Sequence, residues 1–97
     1  IKDLKAHFVP QPGFVANYKM VLDGKKKPLI IQVNTNNIDC YYGNSTETMD
    51  VEIQMQKNVM EEIINGRMTF QRAFMGGDMK MKGDFRILRS LDQIFNF

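Results

Sequence analysis

The stretch that most constrains the fold is the last third of the chain, Gly66 to Phe97: GRMTFQRAFMGGDMKMKGDFRILRSLDQIFNF. Its pattern is helix, strand, helix, with glycines at the junctions. Phe70, Ala73 and Phe74 follow Thr69 at helical spacing, and Thr69 is placed to cap that helix. Gly76-Gly77 ends it and lets the backbone turn sharply. Met79 and Met81 alternate with Lys80 and Lys82, the mark of a strand with one dry face and one wet one. Asp84 stands where an N-cap is needed, near the positive end of the next helix. Ile87, Leu88, Leu91, Ile94 and Phe95 then form one apolar stripe, with Arg86, Arg89, Ser90, Asp92 and Gln93 outside it.

Upstream, the period is two. Phe14, Ala16, Tyr18, Met20 and Leu22 share one face of a strand. Leu29, Ile31 and Val33 share a face of a second, after an Asp23-Gly24-Lys25-Lys26-Lys27-Pro28 turn. Ile38, Cys40 and Tyr42 continue a third, and Met49, Val51, Ile53 and Met55 alternate in a fourth. Short loops predict that these four strands are sequential, antiparallel neighbours. The fifth, Met79–Lys82, is expected at a sheet edge or beside the first. Val59, Met60, Ile63 and Ile64 form a helical face that can cover the apolar side of the sheet. Asn58 and Glu61 resemble a capping box, with the helix starting there or a residue or two earlier, and Asn65-Gly66 closes it. At the start, Ile1, Leu4 and Phe8 could dock a short helix, which Pro10 and Pro12 interrupt.

A chain of 97 residues makes one domain, residues 1–97. Any ligand cavity must be carved from its single core. The net charge of +2 is too small to argue for a nucleic-acid partner. No run of apolar residues is long enough to span a membrane. There is no signal-peptide pattern, and the C-terminal Ile-Phe-Asn-Phe is not a peroxisomal address. Cys40 alone excludes an internal disulfide, so a reducing cytoplasm is the expected home. Because the chain begins at Ile1, a larger parent protein stays open.

Chemistry-bearing residues are sparse. His7 is the only histidine and has no partner set for a metal, so no cofactor is expected. Ser45 and Ser90 lack the strand-to-helix elbow of a nucleophile. Glu61 and Glu62 read as a solvated helix face. Gly76-Gly77 precedes a strand, which is the wrong geometry for a phosphate loop. Lys25–Lys27 reads as a solvated hairpin tip that could also touch acidic head groups. Asn44-Ser45-Thr46 fits a glycosylation pattern but lacks a secretory context. The informative excess is methionine, eight in all. Met20, Met49, Met55, Met60, Met75, Met79 and Met81 fall on or next to inward faces. They suit either gap-filling in a core or an adaptable apolar binding surface.

The run Ala73-Phe74-Met75, then Gly77-x-Met79-Lys80-Met81-x-Gly83-Asp84 and an amphipathic helix, resembles the C-terminal hallmark of the sterol carrier protein type 2 family. These are nonspecific lipid-transfer domains. The strands between Phe14 and Gly66 are compatible with it. The resemblance implies an α+β fold: a five-stranded, mainly antiparallel sheet, helices on one face, and an apolar tunnel between the sheet and the C-terminal helices. It implies non-catalytic binding of a fatty acyl chain, fatty acyl-CoA, phospholipid or sterol. Together with strand alternation it marks Met20, Ile31, Val33 and Met81 from the sheet as lining residues. From the helices it marks Phe70, Phe74, Met75, Leu88, Leu91, Ile94 and Phe95. Expected partners are the lipid, a transient membrane surface, and either a second copy or a larger lipid-metabolising enzyme that uses the domain as an accessory or assembly unit.

Overall fold

The computed structural model describes residues 2–44 and 48–97, residues 2 and 3 by their backbone alone. Ile1, and the Ser45 and Thr46 named above, lie outside the described residues. The elements run α1 (Lys2–Ala6), β1 (Val15–Asp23), β2 (Leu29–Asn34), β3 (Asn37–Tyr42), β4 (Val51–Gln56), α2 (Lys57–Ile64), α3 (Phe70–Met75), β5 (Met79–Gly83) and α4 (Phe85–Ile94).

The strands form one five-stranded sheet in the order β3-β2-β1-β4-β5. β1–β2, β2–β3 and β4–β5 pair antiparallel, as alternation and turn chemistry predict. β4 departs from expectation. It does not pair with β3 but crosses to the free edge of β1 and runs parallel to it, Tyr18 opposite Val51 and Leu22 opposite Met55. A parallel pair needs a long crossover, and here the whole β2–β3 hairpin supplies it. The returning chain is tied to the start of β1: the Asn17 amide donates to Asp50 Oδ2 at 2.8 Å, and the Asp50 amide donates to the Asn17 carbonyl at 2.9 Å. β5 then takes the outer edge beside β4.

The helices begin largely where the sequence indicates. Thr69 accepts from the Arg72 amide at 3.0 Å, and Asp84 accepts from the Arg86 amide at 2.8 Å. The capping box at Asn58 is absent. α2 starts at Lys57 after Gln56, without a side-chain cap, so Asn58 lies inside the helix. β4 continues straight into α2 and leaves no loop for a cap. Gly83 adopts φ +125°, and a Cβ there would collide with the Asp50 carbonyl. Only glycine lets β5 end this close to β4.

Inward-facing Ala16, Tyr18, Met20, Leu22, Leu29, Ile31, Val33, Cys40, Val51, Ile53, Met55 and Met79 are all buried. They pack with Leu4, Met60, Ile63, Phe70, Ala73, Leu88, Leu91, Ile94 and Phe95 into one cluster. The opposite face holds Lys19, Glu52, Gln54, Lys80 and Lys82, all at least partly exposed.

Candidate functional site

Three cross-strand rows of β1, β4 and β5 make up the inward face beneath the helices. They read Tyr18–Val51–Gly83, Met20–Ile53–Met81 and Leu22–Met55–Met79. α2 covers the methionine-rich end with Met60 and Ile63, and α4 lies across β4. Thioethers on unbranched stems repack at low cost, so this end is the most adaptable part of the interior. On the other side of β1 the rows hold Val33, Ile31, Leu29, Cys40 and Ile38. Branched side chains dominate there.

Of the residues marked by sequence, Met20, Ile31, Val33, Phe70, Leu88, Leu91, Ile94 and Phe95 are buried in the common core. Phe74 and Met81 are half-buried against it. Met75 is not brought to the interior: it is 74% exposed at the C-terminal end of α3. A one-residue step past Phe74 turns it by about 100° around the helix, away from the sheet. The expected open tunnel under α4 is not seen among the described residues. Leu88, Leu91 and Ile94 are at most 1% exposed and fill that space. Cavities among the described residues include three at the margins. One of about 300 Å³ sits where β1 and β4 end, bounded by Asp23, Gln54, Gln56, Asp78 and Lys80 around Met55 and Val59. Others lie on the outer sheet face, one bordered by Val15, Asn17, Gln32 and Asn34 and another by Val21, Lys80 and Lys82.

Tyr18, Met55, Met60 and Met79 are not among the marked lining residues, although all four are buried, Tyr18, Met55 and Met79 on the helix-covered face of the sheet and Met60 on α2. Strand alternation placed Tyr18 on the same face as Met20, and that signal was available. Its hydroxyl donates to the Ile87 carbonyl at 3.0 Å and so ties α4 to the centre of the sheet. Burial, with a smaller contribution from the Asp50 carboxylate, pushes the phenol well above its usual pKa and keeps it a donor. Burial likewise pushes the Cys40 thiol up to about 11, with Lys5 opposing, so it is a core residue and not a nucleophile. Asp92 also works structurally. Its two oxygens accept the Phe70 and Gln71 amides at 2.8 and 2.9 Å and lock α3 to α4.

The chain ends close the far side. A bridge pairs Phe8 with Phe95, and the Val9 amide donates to the Ile94 carbonyl at 2.7 Å. His7 Nδ1 lies 2.7 Å from the Asn96 carbonyl oxygen. Phe95 stacks on Phe97 at 5.4 Å between ring centres, and Phe70 touches both. Phe95, marked above as tunnel lining, instead forms with Phe97 and Phe70 a packed aromatic clasp. Among the described residues, no three His, Cys, Asp or Glu side chains are grouped to hold a metal. No helix of the described residues is long and apolar enough to cross a membrane.

A mixed five-stranded sheet with an apolar, helix-covered face places the chain in the class of sterol-carrier-like α+β domains. Solved structures agree on the fold. It is similar to a double mutant of the sec-alkyl sulfatase PisA1, an enzyme from Pseudomonas sp., at TM-score 0.75 and 16% identity, over 88% of this chain and 13% of that one. It is similar to sterol carrier protein 2 from Yarrowia lipolytica in its apo form, at TM-score 0.62 and 21% identity, over 80% and 64%. It is also similar to palmitated sterol carrier protein 2-like 2 from Aedes aegypti, at TM-score 0.62 and 13% identity, over 87% and 78%. The chain thus spans only a small part of the sulfatase and under two thirds of the Yarrowia protein. No curated protein matches it in sequence. The model of the SCP-2 sterol transfer family matches residues 13–96. The chain belongs to that family.

Proposed function

We propose that this domain binds a lipid chain without chemistry, between α2–α4 and the β2–β1–β4–β5 part of the sheet, and gives it up again. Met20, Ile31, Val33, Phe70, Phe74, Met81, Leu88, Leu91, Ile94 and Phe95 are the proposed lining, and Met55, Met60 and Met79 belong with them. The methionine block carries this reading. It places deformable side chains along a helix-covered face, where an entering chain can displace them without breaking backbone hydrogen bonds. The palmitated relative supports an acyl chain as ligand. Each buried methylene contributes about 0.8 kcal/mol, so a sixteen-carbon chain gains roughly 12 kcal/mol before ligand ordering takes back several. Micromolar affinity with release on demand follows. Displacement of a fluorescent fatty-acyl probe from delipidated protein tests this, and absence of saturable binding rejects it.

A second reading makes the domain an accessory unit of a larger lipid-metabolising enzyme. The similarity to a segment of a sulfatase many times this length favours it. It predicts that the intact parent chain is longer and that α3 or α4 is covered by another part of it. Mass measurement of the native protein separates the readings.

A further inference from the structure

We infer that the corner where α3 meets α4 docks on an anionic lipid bilayer, a contact that goes beyond the carrier reading and stands apart from it. Met75, 74% exposed, and Phe85, 41% exposed, are large apolar side chains left in water on neighbouring helix ends. An isolated exposed residue needs no explanation, but contiguous apolar ones mark a contact surface. Phe74 joins them: its ring lies 5.4 Å from Phe85 and packs inward on the core. The rim is basic. Arg72 precedes Met75 by three residues and Arg89 follows Phe85 by four, so each arginine lies one helical turn from an exposed apolar side chain. Both arginines are exposed and neither is ion-paired among the described residues. The nearby acids are largely committed: Asp84 caps α4 and pairs with Arg86 at 3.7 Å, and Asp92 caps α3. Asp78 alone remains.

The charge of the chain follows the same division. Residues 66–97 hold six of the thirteen cations and three of the eleven acids. A second copy presenting the same basic corner would be repelled, which argues against self-association here. Arginine forks suit lipid phosphates, and phenylalanine and methionine can enter the acyl boundary beneath them. The competing basic feature, Lys25–Lys27, has Tyr42 beside it, 37% exposed, and that ring is already engaged by the Lys25 ammonium at 5.4 Å. Docking at the corner would bring the α3–α4 seam, with Phe74 in it, onto the bilayer.

The test is co-sedimentation with phosphatidylcholine vesicles, alone or with roughly a third phosphatidylserine, at low and high salt. Binding is expected only with the anionic vesicles and should weaken with salt. M75D/F85D and R72E/R89E should each weaken it about tenfold or more, while K25E/K26E/K27E changes it less than about threefold. Far-UV circular dichroism confirms that the variants are folded. Equal binding to neutral vesicles, no binding to either, or loss only in the lysine variant overturns the inference. So does a dimer in size-exclusion chromatography that M75D/F85D dissociates. Acyl-probe binding by wild-type protein is scored separately: its failure rejects the carrier and leaves vesicle docking standing.

Discussion

The two ends of the interior are built from different materials. At the clasp, Phe8, Phe70, Phe95 and Phe97 lock through ring contacts and backbone hydrogen bonds between residues 7–9 and 94–96. At the other end Met55 and Met79 face each other across β4–β5, under Met60 and beside Leu22. Stiff rings with few rotamers define one packing. Thioethers accept several. The contrast teaches that stability and adaptability are separated in space: the clasp holds the fold while the methionine end can yield.

The largest expected effect lies at the clasp. Phe70, 1% exposed, touches both Phe95 and Phe97. Phe70→Ala should cost about 3–5 kcal/mol by chemical denaturation. Met55→Leu together with Met79→Leu should cost less than about 1.5 kcal/mol, since volume is nearly conserved, yet should weaken binding of bulky acyl probes. Equal losses of stability at the two ends would erase the distinction. Gly83→Ala comes next. The positive φ and the approach to the Asp50 carbonyl should cost on the order of 1–3 kcal/mol, read as a lower thermal midpoint. Asp92→Ala removes two amide contacts of α3 and should cost about 1–2 kcal/mol, loosening the α3–α4 seam in hydrogen exchange before the clasp.

The contrast also explains what was legible in the sequence. Period-two and helical alternation located the strands and three of the four apolar helix stripes to within a residue or two, and Thr69, Asp84 and the glycines marked their junctions. The pairing of β4 was not legible. Alternation states which face a residue occupies but not which strand lies beside it, and the crossover was itself a hairpin. Asn58 misled because a cap pattern inside a helix looks the same as one at its start. Met75 misled because it adjoins Phe74 in the recognised motif, whereas a neighbouring helical position faces elsewhere. The clasp was invisible for another reason: Phe8 and Phe95 lie at opposite ends of the chain, and no local pattern links them.

The smallest expected effect concerns alkali, and it probes the branched half of the sheet against its centre. Cys40 and Tyr18 are both buried acids held protonated, with pKa values above their unfolded ones. Stability from such a group is complete below the unfolded pKa and is lost as pH rises toward the folded one. For Cys40 the window opens at the ordinary thiol value of 9.0 and closes near the raised value of about 11. For Tyr18 it opens at 10.0 and extends upward from there. Denaturation midpoints should therefore hold to about pH 9 and fall beyond it. In Cys40→Ala the onset should move up by about one pH unit, because only the Tyr18 step remains. An unchanged onset in that variant would mean that the thiol already reaches water, and that the β2–β3 side is as yielding as the methionine end.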